Sequence, residues 1–379
     1  MQKKFFDDML NRRLARVRAM QELYALKIAK GANFLLAQDL ISDAFAPDLN
    51  SMEKQDRTKL AGKAKLAQSL FEDEVKKKDS HPDEVYPPEV RTAVAKAREY
   101  YRLKNKKDYE YHSIQTLLDA ERTYDIYLYL LNLLVLLQAK SDSVLAKNRA
   151  LLAIKNTKDL EFLSLKRSVN FDQDPTLINK LYNEAIKNNA HVKEYVEKVN
   201  KTLEDDLAIV KYLIKNVLLK HEVSVEFFEK LHLFWSEDKE ILRTMLFHSF
   251  ANFVEDEVVV IEKLDDQWED TKDFLRTLFK ETAVRDEELL EHILPHLKNW
   301  DLERIIGTDL ILLKMAVAEL TTFPSIPVKV TINEIIEIAK NYSSEKSKVF
   351  INGLLDSICK DLQQKGLIKK TGRGMIDNR

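Results

Sequence analysis

No glycine occurs between Gly62 and Gly307, and the whole chain carries only 7 glycines and 8 prolines. Sheets need turn residues every few positions, because hairpin turns demand backbone angles that glycine, asparagine or proline supply. A stretch this long without glycine leaves helix as the economical solution. The 32% of charged residues and the abundance of Leu, Ala, Lys and Glu point the same way. The sequence therefore predicts an all-α chain, and 379 residues suffice for two domains or one enlarged domain.

Charge excludes little in bulk, since the formal net charge is −2. Its distribution says more. Both ends are basic, whereas Glu255 to Glu291 is strongly acidic. A single cysteine, Cys359, permits no intrachain disulfide, which suits a reducing cytosol. The start, MQKKFFDDML, interrupts its apolar run with Asp7 and Asp8 and does not read as a secretory signal. The most apolar segment, Ile126 to Leu137, is too short for a bilayer and contains Asn132, so it reads as a core helix.

Along the chain, residues 9–30 read as one amphipathic helix. Leu14, Val17, Met20 or Gln21, and Leu23 or Tyr24 follow its inner face, with Arg12, Arg13, Arg16 and Arg18 opposite and Gly31 as the stop. A second helical piece covers 33–50. Residues 50–110 read as a charged, loosely packed, partly helical segment. The strongest apolar helix runs from about 110 to 140, with helices following to 253 and Phe227, Phe228, Leu231, Leu233 and Phe234 forming a core cluster. A loop is expected at 170–175, and a basic, disordered tail from 367.

Residues 323–358 break this anonymity. Pro324 and Pro327 block helix. Thr331 and Glu334 have the spacing of a capping box, which places a helix start at Thr331. Ser344 can cap a second helix that carries Phe350, Leu354 and Ile358 on one side. Asn352-Gly353 falls inside that helix, where glycine costs about 1 kcal/mol relative to alanine. Two offsets are open: a tight crossing with another helix, or close approach of a ligand.

No catalytic constellation stands out. His221-Glu222 begins like a zinc motif, but Val225 occupies the fifth position. His292 and His296 have helical spacing with Pro295 between them. No glycine-rich phosphate loop is present, so no enzyme, no metal site and no cofactor is expected. An arginine-rich helix can be a solvated face or a phosphate-binding one, and Phe350 can be core or a stacking platform for a base.

The run P-x-x-P-x-K-V-x-I-N-E-x-I-E-I-A-K followed by S-x-x-S-x-x-F-I-N-G-L-L-D resembles the C-terminal signature of the NusB transcription antitermination family. Trp300 to Ile305, running on to Leu320, resembles the preceding helix of that family, and Arg12 to Tyr24 its arginine-rich first helix. The resemblance implies a pair of packed three-helix bundles built from both chain ends, 1–30 and 261–366. Residues 31–260 would then be a helical insertion and 367–379 a flexible tail. It implies a cytoplasmic, bacterial, non-enzymatic factor in rRNA transcription. Its partners would be a single-stranded ribosomal leader RNA and NusE, a small-subunit ribosomal protein, with RNA polymerase reached indirectly and no membrane contact. The RNA residues implied are Arg12, Arg13, Arg16, Tyr24, Lys346, Ser347, Lys348, Phe350 and Asn352. The NusE-facing ones are Tyr24, Glu303, Asp309 and Lys314, where carboxylates would suit a basic partner. Lys346 stands where the family usually has an acidic residue, and Lys280 where it has a small one. A helical protein-binding scaffold without RNA binding is the alternative. NusB-like domains also precede rRNA methyltransferases, but nothing in this chain forms a site for a methyl donor.

Overall fold

The computed structural model describes residues 2–50, 52, 55–76, 86–140, 145–261, 268–297, 305 and 307–378, with side chains described from Arg12 to Ile376. Every regular element among them is helical. The chain divides into two compact units. One comprises residues 1–14 and 118–271, the other 15–117 and 272–379.

Helix α1 spans Gln2–Ala44, α2 Arg57–Val75 and α3 Pro88–Lys140. Three sequence expectations change here. Gly31 does not stop the first helix, and the pieces 9–30 and 33–50 are one rod. Glycine in mid-helix costs about 1 kcal/mol, whereas burying Ile41 beyond it returns about 2–3 kcal/mol, so the helix runs on. The charged stretch 50–110 contains two well-formed helices, α2 and the first turns of α3. Asp56 caps α2, its carboxylate accepting from the N–H groups of Thr58 and Lys59 at 3.0 Å. Ala37 and Ile41 of α1, Phe45 just beyond its end, Phe71 of α2, and Val90 and Val94 of α3 then form a small core. Phe34 stacks on Phe71 at 5.3 Å and meets the edge of Tyr101. Its apolar residues are spaced among many charges, which hid it from a reading based on composition.

The other unit is built on the C-terminal part of α3. There Ile126 to Leu131, Leu133, Leu134 and Leu137 are buried, as expected for a helix apolar all round. Against it fold α4 (Arg149–Lys155), α5 (Lys158–Lys166), α6 (Leu177–Leu181), α7 (Ala190–Glu197), α8 (Leu203–Tyr212), α9 (Glu222–Leu231), α10 (Trp235–Ser249) and α11 (Phe253–Asp256). α6 and α8 each run on into a turn of π-helix, Tyr182–Ile186 and Leu213–Leu218. Phe228 is fully buried and stacks on Trp235 at 4.7 Å, so the aromatic cluster is core, although Leu233 is 85% exposed. A polar pin joins α3 to α10: Asp238 accepts from Thr123 at 2.7 Å and lies 2.7 Å from His232 Nε2, all three buried.

The remaining helices are α12 (Trp268–Val284), α13 (Asp286–Ile293), α14 (Gly307–Thr322), α15 (Val328–Tyr342) and α16 (Glu345–Gln364). Pro295 turns the end of α13 into a short 3-10 helix, Leu294–His296, in which His296 bonds Ser357 at 2.7 Å. α14 packs against α13, α15 and α16 and is buried from Ile311 to Leu320 on every side. The C-terminal residues, expected to be disordered, form a 3-10 helix, Gly372–Asn378. Thr371 N–H donates to Pro324 O at 2.9 Å and Lys370 Nζ to Phe323 O at 2.9 Å, so the carbonyls freed by the proline elbow hold the tail. No helix among the described residues is long and apolar enough to cross a membrane.

Candidate nucleic-acid interface

α14 carries three buried polar side chains, and each is pinned to a different neighbour. Glu319 receives a bidentate bond from Arg16 of α1, Nε to Oε2 at 2.8 Å and Nη2 to Oε1 at 2.7 Å. Thr331 of α15 donates to the same carboxylate at 2.8 Å, and Glu334 lies 3.9 Å from Arg16 Nη1. The guanidinium also sits over the Phe274 ring, 5.1 Å from its centroid. Lys314 bonds Asp286 of α13 at 2.6 Å. Asp309 accepts from Ser343, at the end of α15.

This arrangement corrects several expectations. Arg16 is 1% exposed and Arg18 is fully buried, so neither lies on a solvated face. α1 is covered on more than one side here, from Leu14 to Arg16 and again from Arg18 to Met20. Thr331 and Glu334 are no capping box. α15 starts three residues earlier at Val328 behind the extended Pro327, and both side chains face inward to the Arg16–Glu319 pair. Asp309 and Lys314, expected to face a partner, are buried and satisfied within the fold. Glu303 lies outside the described residues, as do 300–304 of the stretch that resembled the family's preceding helix.

The serine elbow then sets the direction of α16. Ser344 is its N-cap, accepting from the Ser347 N–H at 3.2 Å. Ser347 is itself buried and bonds the hydroxyls of Ser343 at 2.9 Å and Ser344 at 2.8 Å. Its role is therefore to hold the elbow, and through Ser343 and Asp309 the elbow is tied to α14. Over its first turns α16 turns outward Glu345, Lys346, Lys348, Val349, Asn352, Gly353 and Asp356, with Phe350 half-buried beside them. Val349 is 70% exposed, and sequence reasoning overlooked it. A Cβ on Gly353 would meet nothing within 4 Å, so no tight helix crossing explains the glycine. The first turn of α16 adds its free N–H groups and positive dipole end to the two lysines.

Arg12 and Arg13 are half-buried and belong to the other unit, and both have interactions within the chain. Tyr24 is 43% exposed and lies against Gly307, where a Cβ would sit 3.6 Å from its ring and 3.1 Å from Lys27 Nζ. Next to it is a cavity of about 130 Å³ between α1, α12, the start of α13 and α14, rimmed by Lys27, Lys30, Asp286 and Lys314. This rim is mainly basic, where carboxylates were expected. Lys280 is exposed and disturbs no packing.

Residues 239–360 match the model of the NusB family. The transcription antitermination protein NusB of Salinibacter ruber is 48% identical over 99 residues, which are 26% of this chain and 62% of that protein. The protein of the same name from Chloroherpeton thalassium is 43% identical over 91 residues, 24% of this chain and 43% of its own length. The C-terminal part of the chain is a NusB-family domain. The chain spans 43% to 62% of the length of the curated relatives it matches. No solved structure matches it. The NusB match takes in α12 to α15 and nearly all of α16, and so contains the serine elbow and the Gly353 face, whereas α1 to α9 lie before it.

Proposed function

We propose that the chain is a non-enzymatic transcription antitermination factor whose α16 face binds single-stranded RNA, in company with a NusE-type ribosomal protein. The observation that carries this reading is Gly353. It is an unfavourable residue in mid-helix with open space in front of it, flanked by exposed Lys346, Lys348 and Asn352. A missing side chain lets a sugar-phosphate strand approach the helix backbone. The lysines and the helix N-terminus neutralise phosphates, and Asn352 offers both a donor and an acceptor to a base edge. Phe350, half-buried at the margin, supplies a stacking edge. The names of the relatives support antitermination as the process. Tyr24 and the lysine-rimmed cavity beside it are the place for the protein partner, recognised through an apolar side chain with a carboxylate next to it. Held by that pair, the RNA stays close to the elongating polymerase.

The test is titration of a labelled single-stranded leader RNA with the full chain at two salt concentrations, with and without the NusE-type protein. Affinity should fall with salt, and Lys346→Ala and Lys348→Ala should each flatten the slope of log K against log salt by roughly 0.7. Gly353→Ala should weaken RNA binding while it stabilises the free helix by about 0.5–1 kcal/mol. If Gly353→Ala leaves RNA affinity untouched, the strand does not cross α16 and the reading fails.

A further inference from the structure

Helices α7 and α8 precede the NusB match and lie within one unit, and between them is a slot of about 240 Å³. On the α7 side His191, Glu194, Tyr195 and Lys198 recur every three or four residues, so they share one helix face. At one end of the slot the His191 ring meets the ring of Tyr212, with centroids 4.5 Å apart. At the other end Lys198 pairs with Asp205 at 2.7 Å. The two helices therefore run antiparallel, and Tyr195 comes level with Ala208 of α8. The methyl group of Ala208 is too small to fill the space between the closed ends, and that leaves the slot. Tyr195 and Ile209 are buried and form its floor, whereas Glu194 and Ala208 are exposed at its rim.

The walls are held in place by bonds behind them. Asn189, the N-cap of α7, accepts from the His191 N–H and donates to the Tyr212 hydroxyl, both at 3.0 Å. The Tyr195 hydroxyl donates to the buried Asp206 at 2.6 Å and accepts from Asn148 at 3.1 Å. A slot fixed in this way loses little freedom when a guest enters. Glu194 stands one turn from His191 and has no hydrogen-bond or ionic partner among the described residues. An unpaired carboxylate beside two rings favours a cation with a flat face. The volume falls below the roughly 300–1,000 Å³ of small-molecule sites and suits a single long side chain. We propose that the slot takes an arginine side chain presented by a basic segment of another protein. Its stem lies along Ala208 and Ile209, and its guanidinium pairs with Glu194 against the His191 and Tyr212 rings. Lysine has no planar fork for either contact. The region ahead of the NusB match then recruits a protein, independently of RNA binding by α16.

Saturation-transfer NMR of the full chain tests this, with a blocked tripeptide carrying one arginine between two glycines and its lysine counterpart as probes. The arginine peptide should bind with a dissociation constant on the order of millimolar, and the lysine peptide at least about fivefold more weakly. Glu194→Gln should weaken the arginine peptide by roughly tenfold or more. Ala208→Leu places a good helix former at an exposed position and fills the slot, so it should abolish binding while the thermal melt stays unchanged. Glu194→Gln decides the matter if Ala208→Leu disturbs the melt. No saturation transfer from the wild type at millimolar peptide overturns the proposal. So does a lysine peptide that binds as tightly as the arginine one, or arginine binding that Glu194→Gln or a normally folded Ala208→Leu leaves intact.

Discussion

Arg16→Ala is the substitution that most sharply separates a structural arginine from an RNA-binding one. The guanidinium and Glu319 are 1% and 0% exposed, and Glu334 is 2% exposed. Removing the arginine leaves Glu319 buried with a single hydroxyl donor, that of Thr331. Loss of one member of a buried, hydrogen-bonded ion pair costs about 3–5 kcal/mol, against a total domain stability of about 5–15 kcal/mol. The chain has two units, so a single unfolding free energy is ill defined. Hydrogen exchange of the α14 and α15 amides reads the affected unit directly. Arg16→Ala should accelerate exchange there by a factor corresponding to at least about 3 kcal/mol. Glu319→Gln should be far less harmful on the Arg16→Ala background than alone, with a coupling of about 2 kcal/mol or more. RNA affinity of the variant, measured cold where it stays folded, should keep its wild-type salt slope. A stability loss below about 1 kcal/mol, the scale of an exposed pair, together with a flattened salt slope, would refute the structural role and return Arg16 to the RNA surface.

Gly374→Ala should release the C-terminal 3-10 helix, because a Cβ there collides with the Pro324 carbonyl oxygen. Tryptic cleavage at Arg373 should then speed up by roughly tenfold, equivalent to about 1.4 kcal/mol of lost docking, and unchanged cleavage would contradict the docked tail. Burial pushes the Cys359 thiol up from 9.0 to about 11. The native state therefore holds that proton over a window where the unfolded chain loses it. The stabilisation is complete below pH 9 and disappears as pH rises through 11. Wild type should lose up to about 2.7 kcal/mol more than Cys359→Ala between those limits, and iodoacetamide should alkylate the native thiol far more slowly than a free cysteine at pH 8.5. Asp238→Ala should loosen α3 from α10 by about 1–3 kcal/mol, since it removes the acceptor that Thr123 and His232 share; thermal melting followed by tryptophan fluorescence at the buried Trp235 checks this.

Helix content was legible because the signal is compositional and long-range: no glycine interrupts the chain from Gly62 to Gly307. Helix ends were not. Gly31 resembles a stop only when the helix has nothing to gain beyond it, and the gain, burial of Ala37 and Ile41 against α2 and α3, is a tertiary fact. The same holds for α2, whose buried positions Ala67 and Phe71 sit in a charge-rich stretch and gain their cover only from α1 and α3.

The site shows a subtler limit. Threonine followed three residues later by glutamate satisfies a capping box, but the same i,i+3 spacing puts both side chains on one helix face. Only the position of Arg16, some 300 residues earlier in the chain, decides between the two readings. Likewise the arginines of α1 share a type but not a fate. Arg16 and Arg18 are inside, while Arg12 and Arg13 are half-buried. Motif resemblance carried Arg12, Arg13 and Arg16 as one functional group. Burial divides them, and the buried member gains a different meaning. Arg16 links α1 to α14 and α15 through Glu319 and Thr331, and Asp309 links α14 to the serine elbow that aims α16. On the proposed RNA-binding reading, the residues of the signature are thus of two kinds. Lys346, Lys348, Asn352 and Gly353 form the face, and Arg16, Asp309, Ser343 and Ser347 fix where that face points. Substitutions in the second group should lower RNA affinity without altering its salt slope, because they change how often the face is correctly presented and not how many phosphates it neutralises.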